Sequence, residues 1–118
     1  MHKYDYINSA IRINVPEYKE SKIEGTTVFF VIKVSNKEKE WLLEKRFSEF
    51  DNLVKALKVN YANIPNLPSK TFLFKMNDKD LEQRRAGLED FLQAVVCRND
   101  LMNSEQVKQF LQLDKNAS

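Results

Sequence analysis

The sequence is poorest in the residues that build covalent and metal chemistry. Among 118 residues there is one cysteine, Cys97, and one histidine, His2. No disulfide within the chain and no thiolate cluster can form, and a reducing compartment is the simplest setting. With the single histidine beside the N-terminus, a Ser-His-Asp triad, a His/Cys metal site and a histidine general base are not expected. No metal, no cofactor and no catalytic residue is anticipated. Only 2 glycines and 3 prolines are present, too few for a low-complexity chain, and no glycine-rich phosphate loop is visible. The longest apolar run, Val28–Ile32, is far short of the ~20 residues that cross a bilayer. The opening Met1-His2-Lys3-Tyr4-Asp5 does not start a signal peptide. A soluble, cytoplasmic chain is therefore expected, touching any membrane from the surface. The net charge of +2 is nearly balanced, so an anionic partner would need basic side chains converging locally.

What is present reads as one globular unit. Hydrophobic residues make up 42% and charged residues 31%, and the length suits a single domain over 1–118 with its core at about 8–113. Ile11 to Val15 alternates apolar and polar, and Pro16 is expected to interrupt it. Thr26 to Val34 is β-branched and aromatic, with Val28, Phe30, Ile32 and Val34 on one face and Phe29, Val31 and Lys33 on the other. After a Ser35-Asn36-Lys37 turn, Glu40 to Phe47 reads as a third strand, completing an antiparallel meander. The period then changes. Phe50, Leu53, Val54 and Leu57 have helical spacing, with Ser48 and Asp51 resembling a capping box. Ile64-Pro65-Asn66-Leu67-Pro68 cannot be helical. A long helix is predicted from Asp78 to Cys97 behind an Asn77 N-cap, and a short one from Ser104 to Leu113. The fold class is α+β: a three-stranded meander packed against three to four helices, with a proline-rich loop.

Some residues sit oddly in this pattern. Arg84 falls within the apolar arc of Leu81, Leu88, Phe91 and Val95, where an unpartnered guanidinium costs several kcal/mol, to order of magnitude. It is either a salt-bridged or snorkelling side chain, or it lines a cavity that an anionic ligand completes. Arg46 lies where a strand meets a helix, a place where free N–H groups gather an anion; the alternative is an exposed strand-end arginine. Lys70 follows Pro65-x-x-Pro68, itself a weak polyproline motif. Thr71 to Met76 is an apolar patch in what should be a loop, either folded onto the core or turned outward to a partner or membrane.

Three segments in order resemble motifs of the PX (phox homology) family: Lys45-Arg46-Phe47-Ser48-Glu49-Phe50, Ile64-Pro65-Asn66-Leu67-Pro68-Ser69-Lys70, and Glu82-Gln83-Arg84-Arg85-Ala86-Gly87-Leu88-Glu89-Asp90-Phe91-Leu92. The resemblance covers about residues 8 to 113. It implies a membrane-targeting module for phosphatidylinositol 3-phosphate, peripheral on endosomal or vesicular membranes and serving vesicle trafficking and protein transport. On this resemblance Arg46 grips the 3-phosphate, Phe47 floors the inositol ring and Ser48 adds a hydroxyl or N–H. Lys70 meets the 1-phosphate and Arg84 the 4- and 5-hydroxyls, while Phe72, Leu73, Phe74 and Met76 form a membrane-insertion loop. Lys45 stands where the family often has Arg, Phe47 where Tyr is commoner, and Asn66 where a second adjacent Pro is frequent. Arg85 is expected to face solvent or add a contact with anionic lipid. The rivals are a protein-interaction module on the same fold and a preference for a phosphoinositide bisphosphate. Nucleic acid is disfavoured by the balanced charge and the core character of the sheet aromatics.

Overall fold

The computed structural model describes residues 11–69 and 77–116. Three strands, β1 (Ile11–Ser21), β2 (Thr27–Asn36) and β3 (Lys39–Lys45), form one antiparallel sheet in the order of the chain. Among the described residues four helices follow: α1 (Phe47–Leu57), α2 (Asp78–Val96), α3 (Asn99–Met102) and α4 (Glu105–Leu111), then a 3-10 turn at Asp114–Asn116. This is the expected α+β meander with helices. The helix that sequence periodicity missed is α3, whose four residues are too few to show a period.

One cluster holds the layers together. Ile13 and Val15 of β1, Phe30, Ile32 and Val34 of β2, and Leu43 of β3 form the inner sheet face. Against them pack Phe50, Leu53, Val54 and Leu57 of α1, Leu88, Phe91, Leu92 and Val95 of α2, and Val107, Phe110 and Leu111 of α4. Phe50 is central, meeting Phe91 and Phe110 edge-on at centroid distances of 6.4 and 5.2 Å. Each such aromatic pair adds about 0.5–1.5 kcal/mol beyond area burial. Val31 points to the opposite face yet is buried at 3% exposure. Its cross-strand neighbours are Glu17 and Glu44, and Lys19 reaches from β1 to Glu44 on β3 at 3.1 Å. That ion pair spans β2 on the face to which the valine points.

Pro16 does not interrupt β1, contrary to expectation. The strand continues to Ser21 because a bulge between Asn14 and Glu17 absorbs the proline. Proline is tolerated on an edge strand at a bulge, where no ladder N–H is required of it. The bulge removes Val15 from the ladder, and α2 supplies the missing partners. Val15 N–H donates to Glu89 Oε1 at 2.9 Å, and Arg85 Nη1 donates to the Val15 carbonyl at 2.6 Å. Two turns beyond Arg85 on α2, Gln93 Nε2 donates to the Ile13 carbonyl at 3.2 Å. Arg85 is also held by Glu82, with Nε to Oε1 at 2.8 Å. It is therefore a structural tie from α2 to the sheet edge rather than a solvent-facing side chain. Arg85→Ala leaves the Val15 carbonyl without this donor. It is expected to lower unfolding free energy by about 1–3 kcal/mol, read as a lower urea midpoint at unchanged slope.

Candidate functional site

The third strand stops at Lys45, two residues before the expected end. Arg46 is the N-cap of α1, extended at φ −81°, ψ 158°, and Phe47 opens the helix. Phe47 extends the alternation of Trp41, Leu43 and Lys45, and so reads as strand, because it packs against the same core from the first helical turn. The capping partner is Glu49 rather than the expected Ser48–Asp51 pair. Glu49 Oε2 accepts from the Arg46 N–H at 2.8 Å. A guanidinium cannot accept in return, so the reciprocal arm of a capping box is absent. The Glu49 N–H is met by the Arg46 carbonyl at 3.0 Å, whereas the N–H groups of Phe47 and Ser48, in the first turn at the positive end of the helix dipole, have no partner among the described residues. Arg46 is exposed and makes no ion pair among the described residues. Ser48 is exposed beside it.

Arg84 meets this turn from α2. Its guanidinium carbon lies 4.1 Å from the centre of the Phe47 ring, a cation–π stack. Its Nη2 donates to the Ser69 carbonyl at 3.0 Å. The residue is only 8% exposed, and Nε is buried without a hydrogen-bond partner. No carboxylate pairs with it among the described residues. Burial pulls its pKa below the usual guanidinium value, with no opposing charge to restore it. Of the structural alternatives, a salt bridge is absent among the described residues, and the guanidinium does not snorkel to solvent, since the residue is only 8% exposed.

The third segment arrives through a notch. Gly87 lies one turn after Arg84, and a Cβ there would meet Pro68 Cγ at 2.5 Å. Only glycine lets the proline ring sit this close, and the fit sets Ser69 beside Arg84. Upstream, Ile64 and Leu67 pack against the core. Arg98 donates to the Ala62 and Asn63 carbonyls at 3.0 and 2.7 Å and is itself held by Asp100. The structure therefore brings Arg46, Phe47 and Ser48, the segment ending at Ser69, and Arg84 to one place. Lys70, Phe72, Leu73, Phe74 and Met76 lie outside the described residues.

The sequence reading passed over Ile23. It is 82% exposed in the β1–β2 turn, beside Glu24 and Gly25 at φ 57° and 101°. Lys45 pairs with Phe30, so Arg46 lies at the Thr27 end of β2 and the turn projects from that same end. The available signal was a lone isoleucine in a Lys-Ile-Glu-Gly stretch, where turn residues are ordinarily polar.

The PX domain family model matches residues 33–114. The chain belongs to the PX domain family. It is 36% identical over 115 residues to the serine/threonine-protein kinase Sgk3 of Rattus norvegicus, covering 93% of this chain and 23% of that protein. It is 42% identical over 83 residues to sorting nexin-24 of Homo sapiens, covering 70% and 48%. The chain thus spans about a quarter to a half of the curated relatives it matches, and the kinase is matched over its PX domain only. The X-ray structure of a designed CISK-PX domain superposes with a TM-score of 0.81 at 32% identity, covering 86% of this chain and 98% of that one. PX domains are lipid-binding modules and generally non-catalytic, and these relatives suggest phosphoinositide-binding membrane targeting with peripheral membrane association. Among the described residues no helix is long and apolar enough to cross a membrane.

Proposed function

We propose that this PX domain recognises phosphatidylinositol 3-phosphate and recruits its chain to endosomal-type membranes. The observation that carries the reading is Arg84: a buried guanidinium stacked on an aromatic ring, with a polar atom unpartnered and no carboxylate at hand among the described residues. A polyhydroxylated anion supplies what it lacks. In this reading the 3-phosphate docks on Arg46 and the free N–H groups of Phe47 and Ser48, where guanidinium fork and helix dipole act on one dianion. The Phe47 ring floors the inositol, Arg84 donates to the 4- and 5-hydroxyls, and Lys70 meets the 1-phosphate as a point charge. Phe72, Leu73, Phe74 and Met76 enter the bilayer. Ile23, projecting from the same end of the sheet as Arg46, adds a second apolar contact. Buried apolar surface contributes ~25 cal/mol per Å², and coupling it to the head-group site on one membrane multiplies the two affinities. The module is one domain with its core at about residues 8–113.

The test is co-sedimentation with liposomes carrying each mono- and bisphosphorylated phosphoinositide. Phosphatidylinositol 3-phosphate is expected to capture the domain above the other lipids. Arg46→Ala removes a charge-assisted phosphate contact of about 1.5–3 kcal/mol and is expected to weaken capture roughly 10- to 100-fold. Equal capture by a bisphosphate would change the assigned lipid. Indifference to Arg46→Ala would overturn the head-group site itself.

A further inference from the structure

The two edges of the sheet are treated differently. The β1 edge carries Pro16, a bulge and three hydrogen bonds with α2 side chains, two donated by Arg85 and Gln93 and one accepted by Glu89. Each is a device that stops an edge from pairing with another strand. The β3 edge has none of them. Its register with β2 runs without a shift from Lys45 opposite Phe30 to Lys39 opposite Asn36. It contains neither proline nor glycine. Among the described residues, no backbone group of Glu40 to Glu44 hydrogen bonds outside the ladder with β2. In an antiparallel pair alternate residues turn their N–H and C=O groups away from the neighbour, so β3 presents an open row of donors and acceptors.

The side chains give this edge a character. On the face away from the core, Leu42 is 63% exposed between Glu40 and Glu44. Both glutamates are about half exposed, and their partners lie on the sheet side only: Glu40 with Lys33 at 3.5 Å and the Ser35 hydroxyl at 3.2 Å, Glu44 with Lys19 at 3.1 Å. Those lysines come from β2 and β1, leaving the outer flank of each carboxylate open. On the inner face Trp41 is anchored, its Nε1 donating to the Leu111 carbonyl at 2.9 Å, and Leu43 is buried. The strand is therefore anchored from behind, while its edge stays free among the described residues.

We propose that the β3 edge accepts an extended segment of a partner protein as a fourth strand. The segment has a basic–x–apolar–x–basic alternation, which sets its apolar side chain beside Leu42 and its basic ones beside Glu40 and Glu44. Main-chain hydrogen bonds supply affinity and the alternating side chains supply selectivity. The inference does not rest on the lipid reading.

The probe is the capped peptide Thr-Lys-Thr-Ile-Thr-Lys-Thr, titrated into the ¹⁵N-labelled domain. Expected are chemical-shift changes centred on residues 39–45 and slowed amide exchange of alternate residues within 40–44. Opposite charges set across a strand pair stabilise it and like charges oppose it. The double variant Glu40→Lys, Glu44→Lys is therefore expected to bind this peptide at least about tenfold more weakly, and to bind Thr-Glu-Thr-Ile-Thr-Glu-Thr in its place. The substituted side chains are about half exposed and lose their pairs with Lys33 and Lys19, so the dispersed ¹⁵N spectrum of the variant is the check that its fold is kept. Shifts centred elsewhere, no response at about 1 mM peptide, or an unchanged preference for the basic peptide in the reversed variant would each overturn the proposal.

Discussion

Arg84→Met is expected to cost this domain its phosphoinositide binding without costing it stability. The side chain is almost fully enclosed, and its interactions among the described residues are a single carbonyl and a ring face. A cation in that setting is poorly solvated, and its lowered pKa has that one cause. The sign follows from linkage. A base whose pKa falls on folding binds fewer protons folded than unfolded, so it opposes folding at every pH below the depressed value. For arginine this covers the whole neutral range, and relief comes only in strong alkali. Methionine has a similar shape, no charge to desolvate, and favourable contact with an aromatic ring edge. Exchanging a poorly satisfied buried polar group for an apolar one of similar shape is near neutral or stabilising. The melting temperature of Arg84→Met is thus expected at or above that of the parent. Its capture by liposomes carrying phosphatidylinositol 3-phosphate is expected to fall about 100-fold, the loss of one to two charged hydrogen bonds at ~1.5–3 kcal/mol each. A variant that melts well below the parent would mean that Arg84 serves the fold. One that keeps its capture would mean that Arg84 serves nothing in the pocket.

Arg84 was legible in the sequence because helical periodicity is a strong signal over a nineteen-residue helix. Its position within the apolar stripe needed only the angular spacing of Leu81, Leu88, Phe91 and Val95. The Asn77 cap was legible for the same reason, since acidic first-turn residues and an acceptor side chain appear together; Asn77 Oδ1 indeed accepts from Asp80 N–H at 2.9 Å. Other features depend on tertiary partners that no local pattern contains. Pro16 reads as a strand breaker until Arg85 and Glu89, some seventy residues later in the chain, take over the backbone groups its bulge releases. Arg85 reads as solvent-facing for the converse reason: it lies off the apolar stripe, and its acceptor is a distant carbonyl. Phe47 reads as strand because one inward aromatic satisfies either period at a junction. What distinguishes helix there is the Glu49 carboxylate closing on the Arg46 N–H, a contact between side chain and backbone across three residues.

Gly87 was likewise visible only as one letter of a resembling motif, and its role can be isolated by a compensated pair. Gly87→Ala gains helix propensity of ~1 kcal/mol, so by local rules it should stabilise α2. The notch argues otherwise. The new methyl would sit 2.5 Å from Pro68 Cγ, on a ring that cannot rotate aside, so the proline segment has to move off the helix. Overpacking of this kind costs about 1–3 kcal/mol, and the net change is expected to be a loss of about 1 kcal/mol once the propensity gain is subtracted. The effect on function is expected to be larger, because Pro68 carries Ser69 and with it the acceptor that orients Arg84. Liposome capture is expected to fall at least tenfold. Pro68→Ala removes the ring atom that clashes, so the double variant Gly87→Ala, Pro68→Ala is expected to recover both stability and capture beyond the sum of the single changes. Such positive coupling between two residues in contact is what a double-mutant cycle measures. Strict additivity would show that the glycine and the proline act separately, and that the approach of the proline segment to α2 does not set the geometry around Arg84.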